Sequence, residues 1–167
     1  MDTDTTHSSP VNSCQEESIY DFSSKISNVI YGKIKQNTSK NDPKGLSKQF
    51  KDRKRRNMNV NEYLNKFISY MELEKSDIIL AIILIDRLYE NTQISINEEN
   101  YFRLILVALI LACKYNKDVL YSNAVWSKIG GVKKENLNLL EVMFVKNIDY
   151  SLFVDKETFE LYSSKFL

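Results

Sequence analysis

An all-α domain is the fold class this sequence predicts, on three observations. Apolar residues recur at three- and four-residue spacing along several stretches, the mark of a helix with one buried face. Two apolar runs, residues 78–85 and 104–113, lie within uninterrupted stretches of about 15 residues, too long for ordinary strands and with no hairpin turn between them. Helix-starting polar residues and a glycine pair fall where such helices would begin and end.

The elements follow in order. Residues 1–15 are acidic and polar with almost nothing apolar, so they cannot repay the entropy of ordering and are expected to be a disordered tail. Over residues 16–36, Ile19, Phe22, Ile26, Val29, Ile30 and Ile34 mark one face of an accessory amphipathic helix. Residues 37–58 combine Asn-Asp-Pro, a glycine and dense positive charge, which predicts a basic linker. Asn59 then caps a helix with Glu62 as its third residue, a capping-box variant, and Val60, Tyr63, Leu64, Phe67, Ile68 and Met71 form the apolar stripe. Ser76 is the next expected cap, with Asp77 set favourably against the helix dipole, and Asn97 with Glu98 and Glu99 signals the start after that. A shorter helix over residues 122–129 should stop at Gly130-Gly131. Helices over residues 134–148 and 156–166 complete the chain. The expected architecture is a five-helix domain over residues 59–152, with an extra N-terminal helix and a short C-terminal helix within 153–167. Its second and third helices, apolar nearly all round, are expected to be enclosed by the others.

Composition bounds the function. With 167 residues and 43% of them hydrophobic, the chain suits one domain with a genuine core. Two distant cysteines, Cys14 and Cys113, suggest no disulfide framework, which fits a nuclear or cytoplasmic protein. The N-terminal run lacks the basic and apolar regions of a secretory signal, and no apolar run approaches the roughly 20 residues needed to cross a bilayer. The lone histidine, His7, falls in the expected tail, so neither a hydrolytic triad nor a zinc site can be assembled in the folded region. Gly32, Gly45, Gly130 and Gly131 lack the spacing and the strand of a phosphate loop. No catalytic residue, metal or cofactor is expected. Net charge is only +1, but residues 1–24 carry five acids and no Lys or Arg, while residues 25–56 carry eleven bases against two acids. The basic charge is therefore local.

Three features break the apolar pattern. Glu141 falls within the stripe of Leu137, Leu140, Phe144, Val145 and Ile148, where a carboxylate needs a partner. Lys114, closing the long apolar run, can reach it while its ammonium snorkels to the rim of the core. On pattern alone, a packing salt bridge is the plainer reading of this couple. Asp86 closes the other apolar helix, and Lys66 is its expected mate in a structural ion pair that fixes register. The run KDRKRR at residues 51–56 could bind nucleic acid or direct nuclear import, although short basic runs are more often solvated linkers. Trp126, the one tryptophan, is expected in the core.

Four segments taken together resemble the cyclin box: IDRL at residues 85–88, LACKY at 111–115, YSNAVWSKIGGV at 121–132 and LNLLE at 137–141. The chain is similar in particular to P-type cyclins related to the yeast phosphate-regulatory group, and the accessory helix over 16–36 resembles the extra N-terminal helix of that group. The resemblance implies a regulatory subunit that forms a heterodimer with a cyclin-dependent serine/threonine protein kinase and performs no chemistry itself. It turns Lys114 and Glu141 into kinase-binding residues, with Leu111, Tyr115, Val145, Tyr150 and Leu152 as the apolar part of that surface. The chain departs from typical cell-cycle cyclins at residues 61–67, where NEYLNKF replaces their hydrophobic docking motif. A cyclin-fold adaptor that binds nucleic acid or transcription components through the basic segment is the alternative, and a kinase-independent helical scaffold is a third.

Overall fold

The computed structural model describes residues 17–37, 44–54 and 56–166. Among the described residues, eight helices follow in order: α1 (Ile19–Gln36), α2 (Ser47–Phe50), α3 (Val60–Met71), α4 (Lys75–Thr92), α5 (Tyr101–Asn116), α6 (Asn123–Gly130), α7 (Lys134–Asn147) and α8 (Lys156–Phe166). No strand occurs among the described residues. The expected tail over 1–15, with His7 and Cys14, lies outside them.

α5 is the hub. Every residue from Leu104 to Cys113 is buried, because the helix is covered on all sides. α4 is its main neighbour, and α2, α6 and α7 also lie against it. α7 and α8 pack on α4 as well, and α1 packs on α3 and α8, so the expected enclosure of two apolar helices is the observed arrangement. α1 lays Phe22, Ile26, Ile30 and Ile34 inward against α3, where Ser23 and Ser27 both reach the Asn61 side chain. No described helix is long and apolar enough to cross a membrane.

Local chemistry sets the helix ends. Asn59 accepts from the Glu62 amide at 2.9 Å and Glu62 returns the bond to the Asn59 amide at 2.9 Å, the reciprocal box expected from sequence. At α4 the cap is Glu74 rather than Ser76, because Asp77 is the third helical residue and closes a box with the Glu74 backbone. At α5 the Asn97 side chain accepts from Glu99, forming a turn before the helix begins at Tyr101. Gly131 ends α6 with a left-handed φ of 67°. Gly130 permits close packing, since a Cβ there would lie 2.6 Å from a methyl of Leu106.

Residues 44–58 differ from the expected linker. Leu46 and Phe50 are buried, and Phe50 meets the Phe144 ring edge-on. The Asp52 amide donates to the Glu99 carbonyl at 2.7 Å, and Lys51 pairs with Glu99 at 2.8 Å. Arg56 pairs with Asp52, donates to the Gly130 carbonyl at 2.6 Å, and lies 4.9 Å from the Phe102 ring centroid. Two apolar anchors and an arginine with several partners hold the described residues of a segment that its charge density marked as a linker.

The expected Lys66–Asp86 pair is also corrected. Asp86 faces the accessory elements, accepting from the Tyr162 hydroxyl at 2.9 Å and pairing with Lys33 at 3.4 Å. Burial and then the Asp86 carboxylate push the Tyr162 hydroxyl up to about 12. Asp86 therefore joins α4 to α1 and α8, outside the bundle rather than within it.

Candidate functional site

The edge where α5 ends against α6 and α7 brings the two anomalous charges together. Lys114 lies in the last turn of α5 and its ammonium meets Glu141 Oε1 at 2.5 Å. The side chains are 35% and 15% exposed, so the lysine stays accessible while the carboxylate is largely covered. An ammonium has three donors. Glu141 is its one acceptor among the described residues, which leaves this cation able to hydrogen-bond outward.

Glu141 is held from its other oxygen by a residue that the sequence reading missed. Asn123, the first residue of α6, donates to Glu141 Oε2 at 2.7 Å and to Asn138 Oδ1 at 2.8 Å. The amide orientation follows from its neighbours, since the reverse would set its oxygen against a carboxylate. The available signal was only the position of Asn123 at the start of a helix, where its reach across to α7 could not be read.

Apolar side chains surround this couple. On α7, Glu141 shares a face with Val145, four residues on, while Leu139 and Val142 are exposed on the same helix. Tyr115 is exposed on α5, and Val119, Leu120 and Tyr121 are exposed in the connection to α6. Val145 and Leu152 are half-buried against the core. Leu111 corrects the expectation: at 4% exposure it belongs to the core and offers no surface to a partner.

Tyr150 projects from the turn that ends α7. Its amide reaches back to the Val145 carbonyl at 2.9 Å, and the Asp149 amide reaches Lys146 at 3.1 Å, the two bonds of a Schellman closure. Asp149 and Tyr150 have φ of 51° and 57°, left-handed values that non-glycine residues disfavour. Arg87 then holds the following segment by donating to the Ser151 and Phe153 carbonyls at 2.8 and 2.7 Å. The arginine next to Asp86 thus positions the exposed Tyr150 and Phe153, a use invisible in the sequence.

A separate cavity lies elsewhere. A groove of about 570 Å³ runs between α1, α4 and α8, and neither Lys114 nor Glu141 lines it. No group of three or more potential metal ligands occurs among the described residues. Cys113 is buried, and its burial pushes the thiol up to about 12, far from a reactive thiolate. The arrangement at the α5–α7 edge suits recognition: one accessible cation, a covered anion that orients it, and an apolar surround.

Comparison with known proteins bears on what is recognised. A family model described as Cyclin matches residues 3–152. Cyclin-U2-1 of Arabidopsis thaliana is 32% identical over 119 residues, covering 71% of this chain and 54% of that protein. Cyclin-P3-1 of Oryza sativa subsp. japonica is 28% identical over 105 residues, covering 63% of this chain and 44% of that protein. The PHO85 cyclin-like protein psl1 of Schizosaccharomyces pombe is 27% identical over 112 residues, covering 66% and 46% respectively. The chain spans about half the length of the curated relatives it matches.

Proposed function

The chain belongs to the cyclin family, and from that premise we propose that it is a P-type regulatory subunit that binds and activates a cyclin-dependent serine/threonine kinase through the α5–α7 edge. The observation that carries this reading is the Lys114–Glu141 couple at the lip of the bundle, with a cation open to solvent and apolar side chains around it. A desolvated charged hydrogen bond at the centre of an apolar patch is the usual composition of an interface hot spot. Lys114 would donate to backbone carbonyls of the kinase, Glu141 and Asn123 would hold the ammonium in place, and Tyr115, Val145, Tyr150 and Leu152 would supply apolar contact. Phe153, held beside them by Arg87, extends that patch.

Activation requires differential affinity. A partner that binds the kinase with its C-helix swung in more tightly than with it swung out shifts the population toward the active state. The kinase supplies the ATP and magnesium chemistry, and this chain contributes only the surface. Lys51, Lys54 and Arg56 are engaged with Glu99, Gly131 and Asp52, which weighs against the nucleic-acid reading. The rice relative carries a P-type name and the fission-yeast one is named PHO85 cyclin-like, beside U-type relatives in Arabidopsis thaliana, and this supports a PHO85-type kinase as the first to test.

The test is affinity for a recombinant PHO85-type cyclin-dependent kinase, measured by calorimetry, with kinase activity followed in parallel. Lys114→Ala and Glu141→Ala should each weaken binding about 30-fold, the equivalent of ~2 kcal/mol, while unfolding stays cooperative. Wild-type affinity in both variants would reject the site. A steeply salt-dependent affinity for nucleic acid, with no kinase bound, would favour the alternative.

A further inference from the structure

The Asp77 side chain is fully buried at the start of α4, yet it is a carboxylate. One oxygen accepts from the Glu74 amide at 2.8 Å and pairs with the Lys117 ammonium at 3.2 Å, and the other accepts from Asn116 Nδ2 at 3.0 Å. Lys117 also donates to the Glu72 carbonyl at 2.7 Å, on the residue whose left-handed φ of 50° ends α3. The group thereby clamps the end of α3, the start of α4 and the end of α5 at one point.

Capping α4 does not require this. Capping needs one acceptor for the Glu74 amide, and a neutral Asn would provide it. Burying an ionised carboxylate costs several kcal/mol unless it is well paired. What the charge adds is its grip on Asn116 and Lys117, the last residue and the C-cap of α5. The turn just before them carries Lys114 and Tyr115. Residues 114–116 are exposed, so apolar packing does little to hold that turn, and a helix end without such support frays.

We propose that Asp77 is a positioning residue for the kinase-facing edge: its buried carboxylate, bound to Asn116 and Lys117, fixes the last turn of α5 and so sets where Lys114 and Tyr115 are presented. This deepens the kinase-binding reading and rests on it. The cost falls on the free protein, which holds the recognition turn in its binding geometry before the partner arrives. Without the clamp, ordering that turn would be charged against binding.

The experiment is a double-mutant cycle on affinity for the same recombinant kinase, using the full chain, with amide hydrogen exchange on the free protein. Asp77→Asn keeps the volume and the capping acceptor but removes the charge. It is expected to weaken binding about tenfold and to speed exchange at residues 113–117, with the amides of α3 and α7 unchanged. Combined with Lys114→Ala it should add clearly less than it does alone, because the lysine it positions is gone and only Tyr115 remains. If Asp77→Asn fails to fold, Lys117→Gln or Asn116→Ala replaces it in the cycle and reads the same coupling from the opposite side. Multiplicative effects of Asp77→Asn and Lys114→Ala, or wild-type affinity in Asp77→Asn and in the two α5 variants, would overturn the positioning role alone. Unchanged affinity in both Lys114→Ala and Glu141→Ala would reject the kinase-facing edge and the positioning role with it.

Discussion

Removing the Arg56 side chain should destabilise the fold by about 4 kcal/mol, a figure that follows from what surrounds it. The Asp52 carboxylate is only 5% exposed and Arg56 is its ion-pair partner. Truncating one member of a buried pair typically costs ~3–5 kcal/mol, because the other charge is left uncompensated. The Gly130 carbonyl also loses a charge-assisted donor, and the guanidinium leaves the face of Phe102. These losses overlap and are not added, so the middle of the range for the ion pair is the expectation. Against a domain stability of about 5–15 kcal/mol, Arg56→Ala would be among the most damaging single changes in the basic segment. Urea unfolding followed by Trp126 fluorescence gives the readout, since this single tryptophan is buried against Phe67. Arg56→Ala combined with Asp52→Asn should recover part of the loss by removing the stranded charge. A loss below about 1 kcal/mol for Arg56→Ala would mean that the segment is a solvated linker and that its contacts carry no weight.

Other outcomes can be stated briefly. Gly130→Ala would place a methyl 2.6 Å from Leu106 in the tightly packed α5 floor, and the melting temperature should fall by an amount corresponding to ~1–3 kcal/mol. Leu111→Ala should cost ~2–5 kcal/mol of folding stability in urea, as befits a core residue; a loss of kinase affinity at intact stability would return it to the interface. The Cys113 thiol is raised from 9.0 to about 12 by burial. Its contribution is therefore complete below about pH 9 and is lost as pH rises toward 12, because the unfolded chain releases its proton first. Cys113→Ala should flatten the decline in urea midpoint between about pH 9 and 11, and an unchanged slope would place the alkaline sensitivity elsewhere, Tyr162 being one other raised group.

The legible parts of this fold were the local ones. The Asn59–Glu62 box connects residues three apart, so its geometry is contained in a single helical turn. The α7 stripe revealed Glu141 as an intruder, and an intruding charge demands a partner, which is why Lys114 could be named before any contact was seen. The basic segment misled because charge density is compositional, whereas its fixation depends on Leu46, Phe50 and the distant carbonyls of Gly130 and Gly131. Asp86 misled for a related reason: the pattern showed that it needed a cation, but Lys33 and Tyr162 come from elements whose docking positions were unknown.

Sequence by itself determined the class of fold, the helical periodicity, the two central helices and one charged couple, because these follow from spacing within a helix or from the cost of an unpaired charge. Tertiary structure alone decided that Leu111 faces inward, that Asn123 braces Glu141, and that Asp77 clamps the end of α5. The reason is physical. Apolar burial drives helices together without direction, so which polar groups meet across the seams depends on the angle and register at which the helices pack, and no single helix contains that information.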